Sequence, residues 1–350
     1  MGTTSLLNMG SERLLGIKKP ELLFSKDNIK AEFRELALKW HPDKCHDPRF
    51  SEVFPHINNL YVAGLEKIKK GYWDTFGLLE VASVEGKKYN IRYKVSIPFQ
   101  LGVMYVGDTV VVYKVKKEFE KLYKSFIDTI TGLKYSSDRM KQEFSRYFPV
   151  ISATITTADD LFIVLKKTPD VLPLSVVLKY YGGSIDPRGV AWIVSTLHNI
   201  HCFLQYNELV HNDINLDTYF ISPRNHSGLL LGGWWYTAGI GKKLKSVPTG
   251  TYERMRSKKR SEKRADRFVD GELIRSLART LLGDETGMKL VSKYKVPEEM
   301  ALWLRFPGNE SAVFDYKKWR NEVLPKAFGE RKFTPMNIDI NDAYDKFMAS

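Results

Sequence analysis

Two short clusters in this 350-residue sequence contain side chains that could carry chemistry. His41, Pro42 and Asp43 are consecutive, and His211 and Asp213 lie two residues apart. An imidazole near a carboxylate can support proton transfer, or it can make charge-assisted hydrogen bonds to a charged partner. The elements that hold each cluster decide which of these roles is open to it.

The first cluster follows a stretch with helical periodicity. Ser25 can cap this helix, and Pro42 must end it because proline lacks an amide donor and restrains the residue before it. Two apolar stripes, each on one face of a 3.6-residue helix, can pack as an antiparallel hairpin with residues 41–44 at its exposed tip. The first stripe is Ile29, Phe33, Leu36, Ala37 and Trp40, and the second is Ile57, Leu60, Tyr61, Gly64 and Ile68.

Residues 29–44 resemble the second helix and tip of a J-domain, the module of DnaJ-type co-chaperones. Residues 15–17 and 57–61 are similar to parts of that family's first and third helices. The resemblance implies docking on a DnaK-type, seventy-kilodalton heat-shock chaperone and stimulation of its ATP hydrolysis. It assigns the triggering role to His41, Pro42 and Asp43. The basic candidates for contacting the acidic face of the chaperone are Lys30, Arg34, Lys39 and Lys44.

Cys45 and His46 lie close to His41 and raise the question of a metal site. Their spacing does not suit a closed tetrahedral site, and no second group of ligands follows. With Cys202 as the only other cysteine, the chain also lacks a disulfide framework. The sequence therefore predicts neither a bound metal nor structural disulfides.

The second cluster follows two strand-like runs, 89–95 and 109–115, and a long apolar helix around residues 191–201. Residues 209–220 resemble the catalytic loop of a protein kinase, whose pattern is His-Arg-Asp-Leu-x-x-x-Asn. The resemblance extends over about residues 87–330. It implies a small antiparallel-sheet lobe followed by a larger helical lobe.

The kinase resemblance assigns a role to each matching position. Lys114 would pair with the α- and β-phosphates, and Asp213 would be the catalytic base that follows His211. Thr218 stands where the family has a metal-binding asparagine, and Asn215 where Ser/Thr kinases have a lysine. The acid that clamps the lysine could be either Asp138 or Glu143, two alternatives that the spacing leaves open.

Two further kinase elements are degenerate. Residues 232–235 read Gly-Gly-Trp-Trp where the magnesium-binding Asp-Phe-Gly should stand, and residues 96–102 contain one glycine where a glycine-rich loop is expected. Phosphoryl transfer needs metal ions to neutralise charge between the β- and γ-phosphates. We therefore expect a pseudokinase without catalytic residues or a required cofactor, and ATP binding without turnover stays open. The alternative is a divergent active kinase that its J-domain recruits to chaperones.

A basic segment lies where a kinase has its activation segment. Residues 253–267 contain 8 basic and 3 acidic side chains, a net charge of 8 − 3 = +5, and the whole chain has 54 − 41 = +13. One interpretation is a nucleic-acid-binding adaptor that works through residues 254–267, and the other is a flexible loop that recruits an acidic protein. No aromatic residues alternate with the charges, which argues against stacking on single-stranded bases.

The fold-class prediction is α+β and multidomain, with an all-α J-domain hairpin followed by a bilobal kinase-like fold. The predicted boundaries are 11–70 for the J-domain, 71–86 for a linker, 87–168 and 169–330 for the two lobes, and 331–350 for a tail. The apolar run at 228–241 is too short to span a bilayer, and residues 1–10 do not resemble a leader, so we expect a cytoplasmic protein with no membrane contact. A client protein is expected, but the sequence does not name it.

Overall fold

The computed structural model describes residues 9–41, 43, 45, 47–71, 73, 77–330 and 335–348. Their contacts divide into two compact units. The first, here called the helical unit, comprises the described residues up to Val81 together with Lys88–Lys94. The second, here called the two-lobed unit, comprises Ala82–Lys87 and the described residues from Val95 onward.

The helical unit is built around a pair of long helices. Ser25 does not cap the first of them, because its amide and hydroxyl donate to the buried Glu32 carboxylate at 2.6 and 2.8 Å, and Asn28 stands at the N-cap instead. Its described residues include the helices α1 (Ser11–Gly16), α2 (Pro20–Leu23), α3 (Ile29–Lys39) and α4 (Phe50–Lys70).

The predicted stripes of α3 and α4 form one core. Ile29, Leu36 and Trp40 from the first stripe pack with Ile57 and Leu60 from the second, and all are at most 5% exposed. Burial of each such side chain contributes about 1.5–3 kcal/mol, so the two stripes are enough to hold the hairpin. Phe33 of α3 and Tyr61 of α4 stack at 3.9 Å between ring centroids.

Part of the predicted linker 71–86 is a strand. β1 (Gly77–Ala82) pairs with β2 (Lys88–Tyr93) in a two-stranded sheet. The predicted small lobe begins at residue 87, whereas Lys88–Lys94 groups with the helical unit. The alternation in residues 89–95 therefore reflects a separate hairpin and not the first strand of the lobe.

The small lobe of the two-lobed unit is a five-stranded antiparallel sheet in the order β3-β4-β5-β7-β6. After the third strand the chain forms α5 (Glu120–Thr131) and α6 (Asp138–Phe144) before it returns to the sheet. The strands are β3 (Val95–Phe99), β4 (Gly102–Val106), β5 (Val110–Lys116), β6 (Ile151–Thr156) and β7 (Asp160–Lys166).

The larger lobe is mainly helical, and its short strands flank the second cluster. The strands are β8 (Leu172–Pro173), β9 (Leu209–Val210), β10 (Tyr219–Ser222), β11 (Ser227–Leu230) and β12 (Ala238–Gly239). The helices are α7 (Leu174–Tyr180), α8 (Pro187–Tyr206), α9 (Thr249–Arg254), α10 (Ser257–Ser261), α11 (Val269–Leu281), α12 (Glu298–Arg305), α13 (Ala312–Lys318), α14 (Leu324–Phe328) and α15 (Ile340–Met348). A sheet lobe followed by a helical lobe confirms the predicted fold class.

The long apolar helix predicted around residues 191–201 is α8, which crosses the interior of the large lobe. The Asp186 carboxylate accepts from the Arg188 amide at 2.8 Å and caps the helix, whose first residue is Pro187. Beside it, Arg275 and Asp315 form two parallel 2.7 Å hydrogen bonds and are 2% and 4% exposed. Such a bidentate pair links α11 to α13, both of which pack on α8.

The predicted tail also contains structure. Ala343 and Tyr344 of α15 are buried, so this helix contributes to the core and is not a free extension. Among the described residues, no helix combines the length and apolar character needed to cross a bilayer.

Candidate functional site

The tip of the helical unit presents two of the three predicted triggering residues to solvent. The side chains of His41 and Asp43 are 49% and 84% exposed, and Pro42 lies outside the described residues. The Asp43 amide donates to Nδ1 of His41 at 3.2 Å, and the Asp43 carboxylate lies 3.5 Å from the same nitrogen. Both contacts use Nδ1, so Nε2 is the ring nitrogen left for a partner. Nε2 and the carboxylate are thus both available to a partner.

The basic candidates of α3 are not equivalent. Lys30 and Arg34 are exposed and lie four residues apart, so they share one face of the helix. Lys39 is half-buried, because its ammonium donates to the Met9 carbonyl at 3.2 Å and lies over the Trp40 ring at 5.4 Å. Lys44 lies outside the described residues. Lys30 and Arg34 are therefore the better placed pair for a partner.

Cys45 and Cys202 are both free thiols. The described residues include no group of three or more histidine, cysteine or acidic side chains that could hold a metal ion. His46 lies outside the described residues.

In the two-lobed unit, the second cluster forms a loop that α11 anchors. The buried Asp270 carboxylate accepts from the amides of His211 and Asn212 at 2.7 and 2.9 Å. The His211 ring contacts the Gly232 carbonyl at 3.0 Å through Nε2. Burial lowers the pKa of His211 to about 3 and raises that of Asp270 to about 6. His211 is therefore a neutral structural residue that joins the loop to residues 232–233.

Asn215 and Thr218 also hold the loop together from within. The Asn215 amide side chain donates to Asp213 at 2.7 Å, and its oxygen accepts from the amides of Asp217 and Thr218 at 2.8 and 3.1 Å. The Thr218 hydroxyl donates to the Asp213 carbonyl at 2.7 Å. Both positions that would contact metal or phosphate in a kinase thus bind the loop itself.

Lys114 does not lie where the kinase resemblance implies. Side chains alternate along β5, and Tyr113 instead of Lys114 lines the cavity between the lobes. The Lys114 ammonium pairs with Asp160 of β7 at 2.9 Å, a neighbour on the same face of the sheet as the exposed Lys116. Lys114 therefore lies on the face of β5 opposite the cavity, because residues one position apart point to opposite faces of a strand.

The cavity has a volume of about 540 Å³ and is lined by Asp213, Asp217 and Thr218 from the loop. Burial raises the pKa of Asp213 to about 7, and the nearby charge of Asp217 adds to that effect. Burial also raises the pKa of Asp217. Carboxyl groups that resist ionisation are weak ligands for a divalent cation, because metal binding requires the deprotonated form.

An aromatic cluster of Phe99, Tyr113, Phe126 and Trp235 lies next to the loop, and all of its rings except the fully buried Phe126 line the cavity. The Trp235 ring lies 5.5 Å from Phe99, 5.0 Å from Tyr113 and 4.5 Å from Phe126 between centroids. Tyr113 is 3% exposed, and burial followed by the charges of Asp217 and Asp213 raises its pKa well above the usual value. Aromatic side chains thus form this side of the cavity between the lobes.

Neither candidate for the clamping acid reaches Lys114. Glu143 pairs with Arg139 on the same exposed face of α6 at 3.1 Å, and Asp138 at the start of α6 is exposed. The buried face of α5 contributes Phe126 to the aromatic cluster. Neither Asp138 nor Glu143 therefore forms the ion pair with Lys114 that the kinase resemblance implies.

Residues 232–235 are held tightly in place. Gly233 has φ +80°, and a Cβ atom there would lie 2.5 Å from the His211 ring and 2.8 Å from the Asp213 carbonyl. A Cβ atom at Gly232 would lie 2.5 Å from the Tyr113 hydroxyl. A carboxylate side chain has no room at either position without movement of the loop.

Sequence reasoning missed the residue that anchors the loop, Asp270, and an aromatic residue that lines the cavity, Tyr113. Asp270 lies in a helix far along the chain, and no motif marks it. Tyr113 adjoins the expected lysine, and the one usable signal was that Tyr113, Val111 and Val115 form the more apolar face of β5.

Comparison with known proteins identifies the first part of the chain. Residues 13–70 match the model of the DnaJ domain. The chain is 43% identical over 56 residues to DnaJ homolog subfamily C member 5 of Tetronarce californica, a match that covers 16% of this chain and 29% of that protein. It is 37% identical over 65 residues to DnaJ protein homolog 1 of Drosophila melanogaster, covering 19% of each. The matches therefore span less than a third of the length of these relatives.

A crystal structure of the BubR1 kinase domain covers 78% of this chain and 87% of its own, with a TM-score of 0.49 and 12% sequence identity.

The DnaJ match includes α3 and the tip residues His41 and Asp43, and it ends where α4 ends. Residues 13–70 of this chain are therefore a DnaJ domain.

Proposed function

We propose that this protein is a J-domain co-chaperone that stimulates ATP hydrolysis by a DnaK-type chaperone. The observation that supports it best is the exposed tip, where His41 and Asp43 stand at the end of a packed helical hairpin within a DnaJ domain. We place its action in the cytoplasm, where thiols such as Cys45 and Cys202 stay reduced.

The geometry fits a transient, oriented contact. Lys30 and Arg34 on the outer face of α3 raise the encounter rate with an acidic surface and orient the approach more than they add affinity. Asp43 can then make charge-assisted hydrogen bonds to a cationic group of the chaperone, while Nε2 of His41 donates a second hydrogen bond. The rigid hairpin reduces the conformational entropy that binding would otherwise cost.

Steady-state ATP turnover of a DnaK-type chaperone, with and without this protein, tests the first half of the proposal. We expect stimulation that His41→Gln and Asp43→Asn abolish, because each removes a group that meets the partner. Asp27→Asn is the matched control, since Asp27 is exposed in the same unit but lies outside the tip. Unchanged turnover, or equal loss in Asp43→Asn and Asp27→Asn, would reject the co-chaperone function.

We further propose that the two-lobed unit is a pseudokinase that binds a client or a target complex. Support comes from the aromatic cluster around Tyr113, from Lys114 paired on the opposite face of β5, and from residues 232–235 without a carboxylate. Magnesium-dependent phosphoryl transfer would lack both its metal ligands and its phosphate-binding lysine.

The rival function is a divergent kinase that the J-domain recruits to chaperones. Incubation with labelled ATP and magnesium or manganese distinguishes the two, since transfer that disappears in Asp213→Ala would reject the pseudokinase. Thermal unfolding with and without ATP and divalent ion tests binding separately, because a ligand of the native state raises the midpoint by mass action. We expect no shift with either ion.

A further inference from the structure

The basic character of this chain is concentrated in one surface of the large lobe. Residues 241–267 contain 11 basic and 3 acidic side chains, so 11 − 3 = +8 of the net +13 falls within 27 residues. The acids are largely used internally. Asp266 pairs with Arg256 at 2.6 Å, and Glu262 lies 3.7 Å from Arg264. Glu253 is the third acid of this segment.

The fold joins two separate basic runs into this surface. Lys243 and Arg264 are partners in an antiparallel bridge, and the Leu244 amide donates to the Lys263 carbonyl at 2.9 Å. Leu244 packs on a buried cluster that includes Met255 and Ala265. The residues on either side of Leu244 point outward as a consequence.

The resulting set of cations is here called the basic surface. Most of its members are exposed, and within this fully described stretch none has an acidic partner at ion-pair distance. Arg260 lies over the Tyr252 ring at 5.9 Å. The basic surface consists of Lys242, Lys243, Lys245, Lys258, Lys259, Arg260 and Lys263.

We propose that the basic surface binds the phosphate backbone of double-helical nucleic acid without sequence preference. This goes beyond the co-chaperone and pseudokinase functions, because it gives the large lobe a polyanionic partner of its own. Phosphate neutralisation by lysine releases counterions and can supply nearly all the affinity of such a complex.

An acidic protein is the less suitable partner. Protein interfaces draw most of their binding energy from a few buried aromatic or apolar anchors. The one large apolar side chain of residues 241–267 that is well exposed is Tyr252, at 39%, and Arg260 already covers its ring. A duplex needs no such anchor. The same lack of free aromatic rings disfavours single strands, which bind through base stacking.

Fluorescence anisotropy with a labelled 20-base-pair DNA of arbitrary sequence, measured on the full chain over a range of salt concentrations, tests this proposal. With about five of the seven cations on phosphates, the slope of log K against log salt is about −4.5, an affinity loss of about 500-fold from 50 to 200 mM salt. A second duplex of unrelated sequence should bind equally.

The variant Lys243→Gln, Lys245→Gln, Lys258→Gln should flatten that slope by about 2.7, because three phosphate contacts are lost. Its matched control carries the same loss of three charges elsewhere in the two-lobed unit, as Lys121→Gln, Lys141→Gln, Lys179→Gln, and should keep the full slope. All six lysines are exposed, so their replacement leaves the core intact.

Three outcomes would overturn the proposal. They are no binding at 50 mM salt, equal flattening in both triple variants, and tighter binding of a glutamate-rich peptide of matched charge than of the duplex. The last outcome would assign the surface to an acidic protein. None of them depends on ATP turnover by a chaperone, so this proposal and the co-chaperone function can fail separately.

Discussion

Ionisation of Asp213 should lower the free energy of unfolding as the pH rises, and Asp213→Asn should remove that effect. Burial in the cavity raises the pKa of this carboxyl from 3.8 to about 7 in the folded chain. Because the unfolded chain ionises near 3.8, the folded state holds a proton that the unfolded state has already lost between the two values. Stability therefore falls as pH rises through this window, and the full penalty is present above pH 7.

The magnitude follows from the size of the shift. About three pKa units at 1.36 kcal/mol each give a penalty of about 4 kcal/mol at pH 8. At pH 5.5 the same linkage gives about 2 kcal/mol, because only part of the window has been crossed. Asparagine keeps the shape and carries no charge. We thus expect Asp213→Asn to be stabilised more at pH 8 than at pH 5.5, by about 2 kcal/mol.

Urea unfolding of the wild type and the variant at both pH values measures this difference directly. Wild type and variant must be compared with each other at each pH, because two histidines also make stability depend on pH. Burial lowers the pKa of His201 to about 4 and of His211 to about 3, so both lower the free energy of unfolding as the pH falls below 6.5. Asp138→Asn, on the surface of α6, controls for the loss of one negative charge. An equal change in unfolding free energy at the two pH values would refute the argument.

Three further predictions concern the two-lobed unit. Asp315→Leu should lower the free energy of unfolding by about 3–5 kcal/mol because it leaves the Arg275 charge buried, and urea unfolding should show a smaller loss when Arg275→Leu is added. Gly233→Ala should lower the free energy of unfolding by at least about 2 kcal/mol. Gly182→Ala should lower it by about 1 kcal/mol, because Gly182 has a similar φ of +70° but open space around its Cβ position. Equal losses in thermal unfolding would contradict the clash at Gly233. Lys114→Gln should change stability by less than about 1 kcal/mol, since its pair with Asp160 is partly exposed, and a larger loss in urea unfolding would place Lys114 in the core.

The helical unit could be predicted well because its signals are local. The apolar stripes of α3 and α4 fix their buried faces, and the proline after His41 marks the end of α3. The cap was predicted incorrectly, since Ser25 bonds to the Glu32 side chain three residues before the helix starts. Local propensity could not show which acceptor a serine would choose.

The two-lobed unit was predicted in outline but not at its cavity. The loop around Asp213 has a recognisable motif, whereas its anchor Asp270 and the ring of Trp235 come from distant segments that only packing brings together. The face of β5 that carries Lys114 could not be predicted, because strand register depends on the neighbouring strands, β4 and β7, and not on the residue alone. The charge of the basic surface could be predicted from the sequence, but the pairing of its two runs could not, because neither run by itself predicts the bridge from Lys243 to Arg264.

The close packing of Tyr113 against Gly232 and Trp235 also bears on chemical intervention. A ligand that enters the cavity beside β5 would meet a phenol and an indole there, and not the ammonium of Lys114. An acidic side chain in place of Gly232 would have no room there, because its Cβ atom would lie 2.5 Å from the Tyr113 hydroxyl. Ligands for this wall of the cavity should therefore be sought among molecules that pack on aromatic rings.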